Sequence, residues 1–574
     1  MRFQLLSLLP GLAASAAIDT PTHQPDGLHN ANHIFNAIHS SLRQWGSSLQ
    51  HNGMSFFLAS VPEGTQFYHG RHSNETVKGI EWLAFEPEHA MVFAGPRPRR
   101  PPPGPGPPGE APGHGHPGPP PTHAKGGSRK HHGRKPPRDP HDGYHGEWSP
   151  TDATDRQSPM GKPNSEKAKS KQEEDSAGYL HTYRTKHPLS LLYIDGMSAG
   201  KTNKGTLDST DILLLGWNIS DDKPHGRWGE DARAQQLCDI AAHEWGDRID
   251  GFLRMEMGFE IILCDFEKHL DTERVTQVQG RVPDERGPRG GFGDMTYYRA
   301  VAARFDGIGG ERVQLNYDDF VTAHAYGLDL FHGEQLPRLA NVSNSTLQTM
   351  RADVTAMVLS HTPPAVYKKL PASKNWQNIA DMVVERYSSR FPDLLSSRVN
   401  SLKQLQAEVT AILRPYIDYG LRNSTAEVER CATPYLSREV LEAPEAAPLA
   451  AHAIRGVTTA ICSSLVNASQ AKTLEDAQSL IRNLTEYLQW TTWKRCTGCE
   501  ANEVCFIPIW PAGRTQDYEN PQCQSSLPNS RGDSYWGGFG PRGGKEKDGH
   551  YPHPPPYPYP YGYASEGRRG SYEL

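Results

Sequence analysis

Leu191 to Thr206, LLYIDGMSAGKTNKGT, runs from an apolar stretch into Gly200-Lys201-Thr202 and invites a phosphate-binding reading. A phosphate-cradling loop has the form G-x-x-x-x-G-K-[ST], so that backbone N–H groups wrap the anion before a helix begins. Here the residue five before Gly200 is Asp195, and Gly196 falls one position late. A carboxylate at Asp195 would repel phosphate, and NKGTLDS after Thr202 is turn chemistry. Lys201 is therefore expected at the surface or at a rim. His243-Glu244 is half of the H-E-x-x-H zinc motif, but Asp247 occupies the second histidine position, so a solvated helix face is expected. Arg531-Gly532-Asp533 is a three-residue coincidence in a low-complexity tail.

Cys496, Cys499, Cys505 and Cys523 offer thiols to a metal, but only the first two form C-x-x-C. The expectation is a disulfide staple and no metal. Four cysteines allow three pairings, which stay open. Cys238 with Cys264, and Cys431 with Cys462, are the expected further pairs; the first would tie a helix to a strand.

A more dispersed set joins a histidine, an aromatic and a carboxylate: His69-Gly70, Trp82-Leu83-Ala84, and Glu260 after Asp250-Gly251. A carboxylate stabilises developing positive charge, an aromatic face stacks on a flat ring, and glycine permits close backbone approach. The elements that must position them are legible. TQFYHGR reads as a strand and IEWLAFEPEHAMVFA as a short strand followed by a helix. RIDGFLRMEMGFEIILCDF reads as a hairpin turning near Met257-Gly258. YLHTYRT and LSLLYID read as a second hairpin about Lys186-His187-Pro188. HIFNAIHSSLRQWGSSL carries a helical apolar stripe, and GEDARAQQLCDIAAHEWG a helix stopping at Gly246.

Composition divides the 574 residues. Residues 1–17 read as a secretory signal. No later run holds 18 consecutive apolar residues, and the C-terminus lacks the hydrophobic tail of a GPI anchor, so no membrane partner is expected. Eight cysteines and seven N-x-[ST] sequons, at Asn74, Asn218, Asn341, Asn344, Asn423, Asn467 and Asn483, agree with an extracellular or cell-wall glycoprotein. The net charge of −6 implies no specific nucleic-acid partner. Residues 95–177 are rich in Pro, Gly, His and basic residues and are expected to be disordered, as is the Pro/Tyr/Gly-rich tail 527–574. Seven histidines between His114 and His145 could bind metal loosely, but a solvated linker is expected. The basic insert could attract anionic polymers or cell-wall polysaccharide. The remainder divides into 18–94 plus 178–275 (α+β), 276–345 (mixed), 346–490 (helical) and 491–526 (cysteine-rich).

The succession of strands around His69-Gly70, Trp82-Leu83-Ala84 and Asp250-Gly251…Glu260 resembles the ADP-ribosyltransferase fold. In that family a first strand ends in His-Gly. A second motif, Tyr-Phe-Ala, precedes a helix, and a Glu heads a last strand, often after an Asp-Gly hairpin. The resemblance implies a split antiparallel sheet, with His69 and Gly70 holding NAD, Trp82 in the place of Tyr stacking on nicotinamide, and Glu260 stabilising the ribosyl cation. Position 258 is Gly, so the Gln/Glu-x-Glu pattern of Arg-modifying members is absent. Over its whole length the chain also resembles secreted filamentous-fungal proteins of unassigned function, through HNGMSFFLASVPEGTQFYHG, LLYIDGMSAGKTNKGTLD and NEVCFIPIWPAGRTQDYENPQC.

The expectation is thus a secreted α+β glycoprotein. A split-sheet domain carries the disordered insert, and a helical domain and a small cysteine-rich module follow. As an enzyme it would cleave NAD, by hydrolysis or by transfer to a protein. As a non-catalytic alternative it would be a wall or matrix glycoprotein.

Overall fold

The computed structural model describes residues 28–51, 53–95, 178–202, 204–217, 229–278, 295–360, 374–528 and 534–536. The expectations for the signal, the insert, most of the tail and Asn218 lie outside those residues. The rest forms one compact unit.

Its centre is a nine-stranded mixed sheet in the order β8-β4-β2-β3-β7-β6-β5-β1-β9. The strands are β1 (Ser55–Val61), β2 (Gln66–Arg71), β3 (Glu81–Ala84), β4 (Gly178–Thr185), β5 (Leu189–Ile194), β6 (Gly251–Met255), β7 (Phe259–Leu263), β8 (Leu270–Val278) and β9 (Gln314–Thr322). Strands β1, β5, β6 and β7 are buried at every position, as apolar runs covered on both faces must be. Edge strand β8 alternates no apolar face and is mostly exposed.

The expected hairpin at Met257-Gly258 is present, with Arg254 opposite Glu260. The second expected hairpin is not. β4 and β5 are both strands, but β4 pairs with β2 and β8, whereas β5 pairs with β1 and, in parallel, with β6. The turn at Lys186-His187-Pro188 therefore carries the chain from one half of the sheet to the other. The sheet is also continuous and mixed rather than split and antiparallel. Its narrowest seam is β2–β3, registered at the single pair Tyr68↔Ala84.

Helices cover both faces. One face, with Phe57, Phe67, Leu83, Tyr193, Ile261 and Tyr317, belongs to the larger core shared with α1 (Ala31–Ser40) and α2 (Gln44–Gln50). The other, with Phe56, Leu192, Phe252 and Ile262, packs on the π-helical segment Asp208–Leu214 and on the helix Glu230–Asp239. The apolar stripe over residues 34–49 is two helices, because Leu42 adopts a left-handed φ of 55° between them. In chain order the further helices used below are α3 (Pro87–Met91), α4 (Glu230–Asp239), α5 (Asn344–Ser360), α6 (Trp376–Tyr387), α7 (Leu402–Leu413), α8 (Ser424–Ala432), α9 (Leu449–Gln470) and α10 (Leu474–Leu488).

The helical segment shares the larger core. Asn32 and Asn36 donate their amides to the carbonyls of Tyr487 and Leu488 at 2.7 and 2.9 Å. Gly456 lets α9 lie against α1, since a Cβ there would stand 2.7 Å from the Ala31 methyl. By length and composition α9 could cross a membrane, but it buries twelve residues and packs on α1, α7, α8 and α10. All eight cysteines are paired, as 238–264, 431–462, 496–505 and 499–523. The first two pairs are those expected.

Candidate functional site: a buried charge cluster around Glu260

Glu260 is the second residue of β7 and lies opposite Arg254 of β6 and Ala84 of β3. The Arg254 Nε donates to its Oε1 at 2.9 Å, and Arg254 also binds the Glu230 carboxylate at the start of α4. Glu230 accepts from Arg233 Nη1 at 3.0 Å, while Arg233 forks onto both oxygens of Asp211 at 2.7 and 2.9 Å. From the loop after β5, Lys201 Nζ donates to Glu256 at 2.5 Å and lies 3.6 Å from Glu230. The Lys201 ammonium also stands 5.1 Å from the Trp510 ring centroid, contributed by the cysteine-rich segment.

Lys201 is thus neither a surface nor a rim residue; its side chain is 2% exposed. The loop turns at Gly196 (φ 66°), and the Glu230 and Glu256 carboxylates supply the counter-charge that a buried ammonium needs. The loop positions Lys201 for carboxylates, not for phosphate.

Four carboxylates (Asp211, Glu230, Glu256, Glu260) face three cations (Lys201, Arg233, Arg254). That imbalance shows in the proton affinities. Burial opposes ionisation of Glu230, yet Arg254, Lys201 and Arg233 outweigh it and hold its pKa well below the ordinary value. For Glu256 and Glu260 burial wins. Lys201 pulls Glu256 down and Arg254 pulls Glu260 down, but both carboxyls stay above the ordinary value, raised further by their acidic neighbours. Burial works against the Lys201 charge, but Glu230 and Glu256 hold its pKa above the ordinary value. Arg254 is fully buried, and its Nη1 has no hydrogen-bond partner among the described residues. Such an arrangement is neutral with a proton on one carboxyl, and once that proton leaves it presents a net charge of −1 to a developing cation.

Trp82 lies opposite Ile262, so it shares Glu260's face one step along the strand, a diagonal of about 7–8 Å between such positions. It is half-buried against the smaller core. By register Tyr68, opposite Ala84, is on that face too. His69 is not. It shares the face of Phe67, and its ring lies 5.8 Å from Phe266 in the larger core. Its Nδ1–H donates to the Trp82 carbonyl at 2.8 Å, and burial, partly offset by that bond, lowers its pKa to about 4. Gly70 is covered by the end of α3, where a Cβ would stand 1.8 Å from the Ala90 carbonyl oxygen. The glycine serves close packing of helix on strand there. Trp82 and Glu260 are therefore brought together, while His69 and Gly70 are held by different surroundings.

Glu230, Glu256, Arg254 and Asp211 escaped the sequence reading. Arg254 inside the apolar strand GFLRM was the available signal, since a charge there must find a partner. Among the described residues, Cys496, Cys499 and Cys523 are near enough to share a metal, but their sulfurs are in disulfides and are not thiolate ligands. His243 is exposed on its helical turn, and Glu244 pairs with Arg351 at 2.9 Å.

Residues 23–285 match the family model described as the YPL277C N-terminal domain, a span that includes every cluster residue. Two proteins of Saccharomyces cerevisiae are similar. Uncharacterized protein YOR389W is 30% identical over 288 residues, 47% of this chain and 38% of its own length. Uncharacterized protein YPL277C is 30% identical over 289 residues, 48% of this chain and 50% of its own length. The chain thus spans half or less of each relative's length. No solved structure matches. Neither relative's name states an activity, and the ADP-ribosyltransferase resemblance gains no support from these comparisons. What they support is similarity to proteins of unassigned function.

Proposed function

We propose that the cluster around Glu260 cleaves the nicotinamide–ribose bond of NAD. One observation carries the reading: a carboxylate at the head of β7, beside an aromatic on β3, sits where buried acids outnumber buried bases. As the bond to nicotinamide breaks, positive charge develops on the ribose, and the excess carboxylate stabilises it. Water then adds to the sugar, giving ADP-ribose, free nicotinamide and a proton, or an acceptor side chain adds in its place. Trp82 supplies the ring face. Adjacency of β2, β3 and β7, with α3 following β3, suits the motif order of the ADP-ribosyltransferase family. NAD is here a substrate.

The test is nicotinamide release by secreted recombinant protein with its disulfides intact, beside Glu260→Gln. Release by the parent and a fall of about a hundredfold or more in the variant is the expected result. No release, and no heat of NAD binding by calorimetry, would overturn the reading.

A second reading has its own support. The cluster is nearly sealed, and His69 and Gly70 lie apart from it. Six of the seven sequon asparagines fall among the described residues, and all six are exposed. A non-catalytic wall or matrix glycoprotein, using the cluster as an internal brace and the basic insert to hold anionic or polysaccharide polymers, accommodates these facts. Release of the protein from walls by salt would mark that role.

A further inference from the structure

A second site, sharing no residue with the Glu260 cluster, lies between α1, α2, α6 and the segment 491–495. It is an open pocket of about 330 Å3. Its floor is a fixed charge pair: Arg43 forks onto Asp381 at 2.9 and 2.6 Å, and His39 Nδ1 lies 2.8 Å from the same carboxylate. Burial outweighs that carboxylate and lowers the His39 pKa, so the ring is neutral at neutral pH. The carboxylate only accepts, so Nδ1 donates to it and Nε2 keeps the lone pair. Arg495 pairs with Asp306 in the lining and lies 5.9 Å from the Trp45 ring centroid. Glu385 and four hydroxyl side chains complete the polar lining.

Two guanidiniums and three carboxylates line this space, and the two guanidiniums are already matched by Asp381 and Asp306. An anion would find no unmatched cation, and a strong cation would find one exposed carboxylate beside two guanidiniums. A molecule whose groups each donate and accept fits better. Hydroxyls do so, and the lining holds donors (Arg43, Arg495), acceptors (Asp381, Glu385) and four hydroxyl side chains. The Trp45 and Phe305 side chains add an apolar wall for C–H groups. The volume is at the small end of ligand pockets.

We propose that this pocket binds a neutral carbohydrate of one or two hexose units. The pocket shares no residue with the cluster at Glu260 and is independent of its chemistry. The full secreted protein, with its own N-glycans removed enzymatically, is titrated with N-acetylglucosamine, mannose and glucose in separate saturation-transfer NMR experiments. A saturable response to at least one sugar is expected. It should weaken about tenfold in Glu385→Ala, where an exposed charged acceptor is lost. It should vanish in Ser388→Trp, which fills the pocket. If Ser388→Trp fails to fold, Glu385→Ala carries the decision alone. No saturable response to any of the three sugars, or an undiminished response in the pocket variants, overturns the proposal.

Discussion

Glu260 stands 2.9 Å from the Arg254 guanidinium with both side chains almost out of water, so its charge state is coupled to folding. Two opposite dependences meet in the cluster. Glu230 has a folded pKa below its ordinary value, so its stabilisation is present above that value and is lost as pH falls through the folded one. Glu256 and Glu260 have raised folded values. Their contribution is fully present below the ordinary carboxylate pKa and is lost as pH rises through the raised one. Stability from the cluster should therefore be greatest near the ordinary glutamate value and decline on both sides. Glu260→Gln, which cannot ionise, should flatten the alkaline side by about 1 kcal/mol or more per pKa unit removed, leaving the acid side intact. Urea midpoints taken from pH 3.5 to 8 check this; parallel curves for parent and variant would refute it. The sequence showed Glu260 at the head of its strand. It did not show the partners, because Arg254 and Glu230 are 24 residues apart and Lys201 and Glu256 55, with no periodicity to link them.

Between residue and fold stand the elements, and here the local signals divided by range. The β6–β7 hairpin was legible because its turn residues and both strands are contiguous. The β4–β5 hairpin was a misreading, because a turn fixes where strands end and not which neighbours they take. The burial of β5 on both faces, at all six positions, distinguishes it, and LSLLYID carried that signal in the four consecutive apolar residues Leu191 to Ile194. Cys238 and Cys264 join α4 to the end of β7 across 26 residues, and both elements carry cluster residues, Glu230 and Glu260. Replacing both cysteines by serine should cost about 3.5 kcal/mol, the loop-closure value for that span. The loss should appear in the denaturant midpoint, together with greater hydrogen exchange in 230–239. An unchanged midpoint would mean that packing of α4 against Phe252 and Ile262 already holds the helix without the bridge.

The whole molecule sets the limit on what segments can do alone. Composition separated residues 18–345 from the helical stretch that follows, and helical periodicity there was plain, with caps such as Thr473 accepting from the Asp476 N–H at 3.1 Å. What composition could not show is where those helices dock. α1 buries Ile34, Phe35 and Ile38, and its cover is α9, α10 and α6, more than 300 residues later in the chain. Its polar contacts make the same crossing, since Asn32 and Asn36 bond to carbonyls 455 and 452 residues away. Trp45 Nε1 likewise donates to the Thr491 carbonyl at 3.1 Å. A fragment of residues 18–345 would therefore expose the apolar face of α1 and leave the Trp45 N–H and two asparagine amides without their acceptors. Fully exposing three large side chains costs about 1.5–3 kcal/mol each, a total comparable with the entire stability of a domain. The fragment should bind ANS, melt without a cooperative transition, and recover a sharp melt only when co-expressed with residues 346–536. A cooperative melt of 18–345 alone would mean that the sheet and its own helices suffice, and that the helical segment is an appended partner rather than half of one core.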